Sequence, residues 1–268
     1  MAFSADADAA RSPRETSESR DGAHQAYAGA LAGRTALVTG GSRGIGRATA
    51  AALVRAGART IINARDARVL DEAARATGAE ALPGDITAPA ALDPDVKAGI
   101  VAQAIERLGG VPDILVNAAG AFSLGPIAET ELAAFDTALS ANLRAPFALT
   151  RALLPAMLER RRGHIVTIGS VAGRVAFPGN GAYSAGKFGV RGLHEVLAAE
   201  LRGTGVRSTL IEPAATDTTL WDSIDLARNP GLPERSAMLS PDSVADAVLF
   251  ALTRAPETAI RTIILERS

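Results

Sequence analysis

The sequence predicts an α/β fold built on one doubly wound, mostly seven-stranded parallel sheet with helices on both faces. Three observations carry that prediction. Short apolar runs alternate with longer amphipathic stretches from Arg34 onward. The runs are continuous rather than alternately apolar and polar, as in strands covered on both faces. A glycine-rich turn, Gly40-Gly-Ser-Arg-Gly-Ile-Gly46, follows the first run and opens the first amphipathic stretch. Right-handed crossovers between such elements give a doubly wound sheet.

Thr35 to Thr39 is an apolar run ending at glycines, the first strand. Residues 44–57 carry helical spacing in Ile45, Ala48, Ala52 and Leu53 and stop at Gly57, as a helix stops at a left-handed glycine. Arg59 to Asn63 is β-branched and strand-like, and residues 67–77 are helical up to Gly78. A short strand near 79–82 precedes Pro83-Gly84-Asp85, and residues 95–108 read as a helix closed by Gly109-Gly110. Residues 113–117 and 164–168 are the fourth and fifth strands. Residues 181–203 form a long helix, and 206–211 and 261–265 the last two strands. The stretch 219–238 is irregular and bears prolines. It reads as a lid over a cleft, where substrate-contacting residues tend to lie. Residues 33–268 make a single domain, and the first 32, rich in Ala, Ser, Asp, Glu and Arg, read as a flexible tail.

Composition narrows the function classes. The 268-residue chain has a net charge of −1, which gives no electrostatic footprint for nucleic acid or an anionic membrane. It has no cysteine, which excludes thiolate catalysis and cysteine-held metals. Its histidines, His24, His164 and His194, are too scattered for a metal site, so no metal is expected. No apolar run reaches the ~18 residues that span a bilayer, and the expected location is cytoplasmic. The expected partner is a small molecule.

Tyr183 and Lys187 stand four residues apart on the long helix, with Ser170 thirteen residues upstream of the tyrosine. Positions i and i+4 share a helix face, so an ammonium beneath the phenol is expected to favour its ionised form. A free tyrosine titrates near pH ~10, and moving it about three units takes roughly 4 kcal/mol. The triplet therefore reads as a general acid/base, Tyr183, with a tuning group, Lys187, and a clamp for a substrate carbonyl, Ser170.

The turn Gly40, Ser42, Arg43, Gly44, Ile45 and Gly46 sits between a strand and a helix. Glycines there let backbone approach a pyrophosphate, and the helix N-terminus offers unpaired N–H groups. A dinucleotide is expected. The second strand ends Asn63-Ala-Arg65, with no acid until Asp66. Arg43 and Arg65 beside the adenosine ribose suit a 2′-phosphate, which favours NADP. The alternative is that Asp66 takes the ribose and the cofactor is NAD.

Together these pieces resemble the short-chain dehydrogenase/reductase (SDR) family, which has a Rossmann-type fold. The matching residues are the Thr39–Gly46 turn, Gly84-Asp85-Ile-Thr87, Asn117-Ala-Ala-Gly120, Asn142, Ser170, Tyr183, Lys187, and Pro213 with Thr218. The resemblance implies that Asp85 holds the adenine amino group with Ile86 beside the ring. Asn117, Ala118 and Gly120 would line the cofactor, and Pro213, Thr216 and Thr218 would bind the nicotinamide carboxamide. Asn142 would anchor a water linking Lys187 to solvent, and Lys187 would also hold the nicotinamide ribose. One departure is Pro213-Ala214, where the family has Pro-Gly, which puts the carboxamide contacts in question. The implied reaction is hydride transfer between a ketone and a secondary alcohol. The run Pro241 to Val248 before a short last strand is similar to 3-hydroxy-acid dehydrogenases of the family, which points to a small 3-hydroxy or 3-oxo acid. The alternatives are a 3-oxoacyl-(acyl carrier protein)-type reductase and a non-catalytic NADP-binding sensor or scaffold. Trp221, Phe177 and Leu220 would wall an apolar pocket, and His194 is expected at an interface or surface. Helices around 144–161 and 181–203 imply a homodimer or homotetramer.

Overall fold

A computed structural model describes residues 27–225 and 231–268. Its strands are β1 (Thr35–Thr39), β2 (Arg59–Ala64), β3 (Glu80–Pro83), β4 (Ile114–Asn117), β5 (Gly163–Ile168), β6 (Val206–Pro213) and β7 (Thr262–Leu265). They form one all-parallel seven-stranded sheet in the order β3-β2-β1-β4-β5-β6-β7. The strand order reverses between β1 and β4, and the crevice outside their carboxyl ends is where ligands enter such sheets. Register brings the functional ends flush: Thr39 pairs with both Asn63 and Asn117, and Asn117 with Thr167.

The helices are α1 (Gly44–Arg55), α2 (Ala67–Thr77), α3 (Ile100–Leu108), α4 (Leu132–Leu139), α5 (Ala145–Glu159), α6 (Gly181–Glu200) and α7 (Pro241–Leu252). The inner strands bury both faces, because side chains alternate across the pleat. Val38, Ile62, Val116 and Val166 meet Leu53 of α1, Leu70 of α2 and Val248 of α7. Leu37, Ile61, Leu115 and Ile165 meet Leu149, Leu153 and Met157 of α5 on the other side. Each such side chain, once fully buried, contributes roughly 1.5–3 kcal/mol. Among the described residues no helix is long and apolar enough to cross a membrane.

Boundaries differ from the sequence expectation where local chemistry decides them. The helix expected over 95–108 begins only at Ile100, because residues 93–99 close turns of their own, with Val96 N donating to Asp93 O (3.2 Å) and Gly99 N to Val96 O (2.7 Å), and Gly99 is the extended N-cap. Residues 118–143, which carried no assigned element, hold α4 and a π-helical segment, Ser140–Arg144, continuous with α5. The domain starts earlier than residue 33. Leu31 is buried in the core and its amide donates to Ala56 O at 2.8 Å, while Tyr27 packs against the same cluster. Residues 1–26 of the expected tail lie outside the described residues. His194 is not a surface residue. It is 4% exposed, on the face of α6 turned toward Arg261, whose backbone it hydrogen-bonds.

His164 on β5 is also buried, with Nε2 2.9 Å from Thr209 Oγ1. That hydroxyl gives its proton to Ile260 O at 2.6 Å, so Nε2 is the donor. Burial first, then the charges of Arg207 and Arg34, push its pKa down to about 3. The unfolded chain takes this proton below about pH 6.5 and the fold does not. Stability is therefore expected to fall by up to ~1.4 kcal/mol per pH unit below that point. Denaturant midpoints measured from pH 7 to 5 check this, and His164→Asn should flatten the slope. An equal slope in that variant would assign the effect to other groups.

Candidate active site

The turn after β1 requires glycine at specific positions. Gly40 has φ +68°, and a Cβ there would stand 2.7 Å from Ala119 Cα. A Cβ on Gly46 would press into Gly40 O. Thr39 fixes the neighbouring strand end, since its Oγ1 donates to Val116 O (3.4 Å) and accepts from the amides of Ala118 (3.2 Å) and Ala119 (3.3 Å). Arg43 precedes α1 without a side-chain cap, and no acid occupies that helix's first turn. Its unpaired N–H groups thus remain for an anion. This is a cradle that fits a pyrophosphate. Gly46→Ala is expected to abolish dinucleotide binding and to lower the melting temperature, since backbone rather than a flexible side chain blocks the methyl. Retained binding in a titration would show that the turn yields.

Along β2, Asn63 donates through Nδ2 to Leu82 O (2.9 Å) and Gly84 O (3.2 Å), setting the β2–β3 ends beside the turn. Burial alone would raise the Asp85 carboxyl. The Thr87 amide (2.8 Å) and hydroxyl (2.7 Å), together with the Arg65 charge, outweigh it and hold the group below its ordinary range. Asp66, the rival ribose ligand, lines the cavity and also caps α2, with Oδ1 accepting from Val69 N at 3.1 Å. Arg43 and Arg65 are both exposed at the cavity wall.

The catalytic candidates come together across β5, α6 and the π segment. Ser170 is extended at the end of β5 and its Oγ accepts from Ala172 N at 3.1 Å. Lys187 is 6% exposed, donates to Ile168 O at 2.8 Å, and places Nζ 5.5 Å from the Tyr183 ring centroid. Asn142 is buried on the π segment, with Nδ2 donating to Ala121 O (2.7 Å) and Ala138 O (2.9 Å). Its Oδ1 has no partner among the described residues. A Cβ on Gly120 would stand 2.8 Å from that oxygen and 4.0 Å from Lys187 Nζ. Glycine there keeps open the space that both groups face. Single-turn π insertions recur at functional sites because they re-aim one side chain.

One expectation is corrected. The Tyr183 phenol is not lowered: burial pushes its pKa up to about 12, and the Ser170 hydrogen bond recovers only part of that. Burial likewise pushes Lys187 down to about 8. Desolvation penalises phenolate and ammonium alike, and at this distance the cation does not offset it.

These residues wall one cavity of about 780 Å³. Every expected site residue lines it except Asn117, which is buried beneath, its Nδ2 3.4 Å from Thr167 Oγ1. Pro213, Ala214, Thr216 and Thr218 line the far side. Ala214 replaces a glycine of the family pattern without left-handed backbone, since Arg161 is the only non-glycine with positive φ among the described residues. The lid begins with a 3-10 turn at Thr219–Trp221. Trp221 Nε1 donates to Thr216 O at 3.1 Å. Arg235 staples the other end to Asp217 (2.7 Å), Asp222 (2.6 Å) and Thr218 O (2.9 Å). Residues 226–230 of the expected lid lie outside the described residues. Phe177, Leu220 and Trp221 all reach the cavity.

The sequence reading missed Phe122 and Asn180. Phe122 stands edge-on to Tyr183 (4.9 Å) and tilted against Trp221 (5.2 Å). It follows Gly120 by two residues, which was a signal. Asn180 lies one helical turn before Tyr183, and that spacing alone could have found it. Among the described residues no cluster of His, Cys, Asp and Glu is arranged to hold a metal.

A family model described as short chain dehydrogenase matches residues 34–229. A short chain dehydrogenase of Pseudocercospora fijiensis is 38% identical over 226 residues, 81% of this chain and 72% of that one. The glycine betaine reductase ATRR of Emericella nidulans is 34% identical over 241 residues, 89% of this chain. This chain spans only 19% of that protein's length. Among solved structures, a metagenomic short-chain oxidoreductase in complex with NADP is similar with a TM-score of 0.72 and 34% identity, covering 89% of this chain and 99% of the other.

Proposed function

Because the chain belongs to the short-chain dehydrogenase/reductase family of oxidoreductases, we propose that it is an NADP-dependent enzyme interconverting a ketone and a secondary alcohol, with Tyr183 as general acid/base. The observation that carries this reading is the joint placement of Tyr183, Ser170, Lys187 and Asn142 on one cavity continuous with the glycine turn. A screen of ketones and alcohols with NADPH, NADP, NADH and NAD, read by nicotinamide absorbance, tests it. No turnover of any carbonyl alongside measurable dinucleotide binding would reduce the chain to a cofactor-binding protein.

The turn from Gly40 to Gly46 and the α1 N-terminus would hold the pyrophosphate. Arg43 and Arg65 would take the 2′-phosphate, Asp85 and Ile86 the adenine, and Thr216 with Thr218 the carboxamide. When bound, the cofactor supplies a hydride from its nicotinamide ring. The chain's own part is proton delivery and orientation. Negative charge grows on the substrate oxygen as the carbonyl carbon is reduced, and the Ser170 hydroxyl and Tyr183 phenol both donate to it. A phenol with a pKa near 12 is fully protonated at neutral pH, so it stands ready as the acid. The proton it gives up is replaced along Lys187 and a water accepted by Asn142 Oδ1.

A homo-oligomer follows the family pattern. It would cover Phe147 of α5 and Phe188 and Val196 of α6, all exposed apolar side chains. A cytoplasmic location completes the proposal.

A further inference from the structure

On the reading that a carbonyl is reduced at Tyr183, we infer that the substrate is a neutral, flat, apolar ketone bearing one hydrogen-bonding group beside the carbonyl. Its ring would lie against Phe122 and Trp221, and its polar group would meet Asn180.

The wall around Tyr183 is apolar and aromatic. Phe122 bridges Tyr183 and Trp221 at 4.9 and 5.2 Å, a corner of ring faces and edges of the kind that takes another flat group. Phe177 (42% exposed) and Leu220 (37% exposed) extend it, leaving large apolar side chains uncovered in the cavity. Among the described lining residues the only cations are Arg43, Arg65 and Lys187. The arginines stand at the dinucleotide turn and the end of β2, and Lys187 is engaged by Ile168 O. Among the described residues no free cation faces these rings, so a substrate carboxylate would be desolvated against them unpaired. That argues against the small 3-oxo acid expected from the C-terminal pattern.

Asn180 supplies the polar element. It is the N-cap residue of α6, a position where asparagine usually caps, yet its side chain caps nothing. The residue is 8% exposed, lines the cavity, and its Oδ1 has no partner. A buried unpaired amide costs about 1–3 kcal/mol, and a hydroxyl on the substrate would satisfy it. Asn180 lies one turn from Tyr183 on the same helix face, so the group it meets is close to the reacting carbonyl.

Trp221 is the only tryptophan of the chain, so its fluorescence reports on this wall without turnover. With Tyr183→Phe and NADP+ present, 2-hydroxy-1-phenylethanone is expected to quench it at least ten times more tightly than 3-oxo-3-phenylpropanoate. Asn180→Ala should weaken the hydroxyketone about tenfold and leave 1-phenylethanone unchanged. Equal or tighter binding of the carboxylate overturns the substrate class. Equal weakening of both ketones would make Asn180 a structural residue and overturn its role. Quenching by the hydroxyketone without reduction in the unmodified enzyme would instead sink the ketone-reduction reading and leave the wall's preference standing.

Discussion

Tyr183→Phe is expected to lower kcat for ketone reduction by about 10³-fold, with the fold and dinucleotide affinity intact. The expectation rests on what the side chain loses. Phenylalanine keeps the ring that packs edge-on against Phe122 but removes the hydroxyl bonded to Ser170. General acid catalysis contributes 10²–10⁴-fold in typical enzymes, and the same group also donates to the developing oxyanion, so the loss should fall in the upper part of that range. The pH dependence separates the two directions. Reduction needs a phenol, and a pKa pushed up to about 12 keeps it protonated, so reduction should be flat from pH 6 to 7 and fall only as Lys187, pushed down to about 8, loses its proton. Alcohol oxidation needs the proton removed, so its kcat/KM should rise with pH across that interval. Near-normal turnover in the variant, or reduction and oxidation profiles of the same shape, would reassign the acid.

Arg43→Ala with Arg65→Ala is expected to weaken NADPH about 100-fold and NADH less than about threefold. Hydrogen bonds to charged groups contribute ~1.5–3 kcal/mol each. Both guanidiniums are exposed, so solvent screening places the pair toward the lower end. Asp66 keeps one oxygen on the α2 cap and lines the same cavity, so this pair of measurements separates its contribution from that of the two arginines. Dissociation constants for the two reduced cofactors measure this directly. Equal losses would mean that neither arginine meets the 2′-phosphate.

Much of the fold was legible because parallel strands buried on both faces are continuous apolar runs, and all seven appear in order in the chain. Helix starts were less so: turns over residues 93–99 and the extended Gly99 cap put the start of α3 at Ile100. Leu31 and Tyr27 sit in a composition typical of tails, and only their contact with the core removes them from it. The site was legible in its motif residues. It was not in Phe122 and Asn180, whose roles depend on which chain segments the sheet brings to one opening.

Periodicity, the glycine turn and the spacing of Ser170, Tyr183 and Lys187 were enough to specify the sheet and the family, since each depends on local geometry along the chain. The protonation of Tyr183, the capping by Asp66 and the character of the substrate wall depend on burial and on partners distant in sequence. A tyrosine four residues from a lysine has an attractive neighbour on a helical wheel. Buried, with that lysine on Ile168 O, its phenol has its pKa pushed up rather than down. Burial is a property of the assembled chain, and it decided that question.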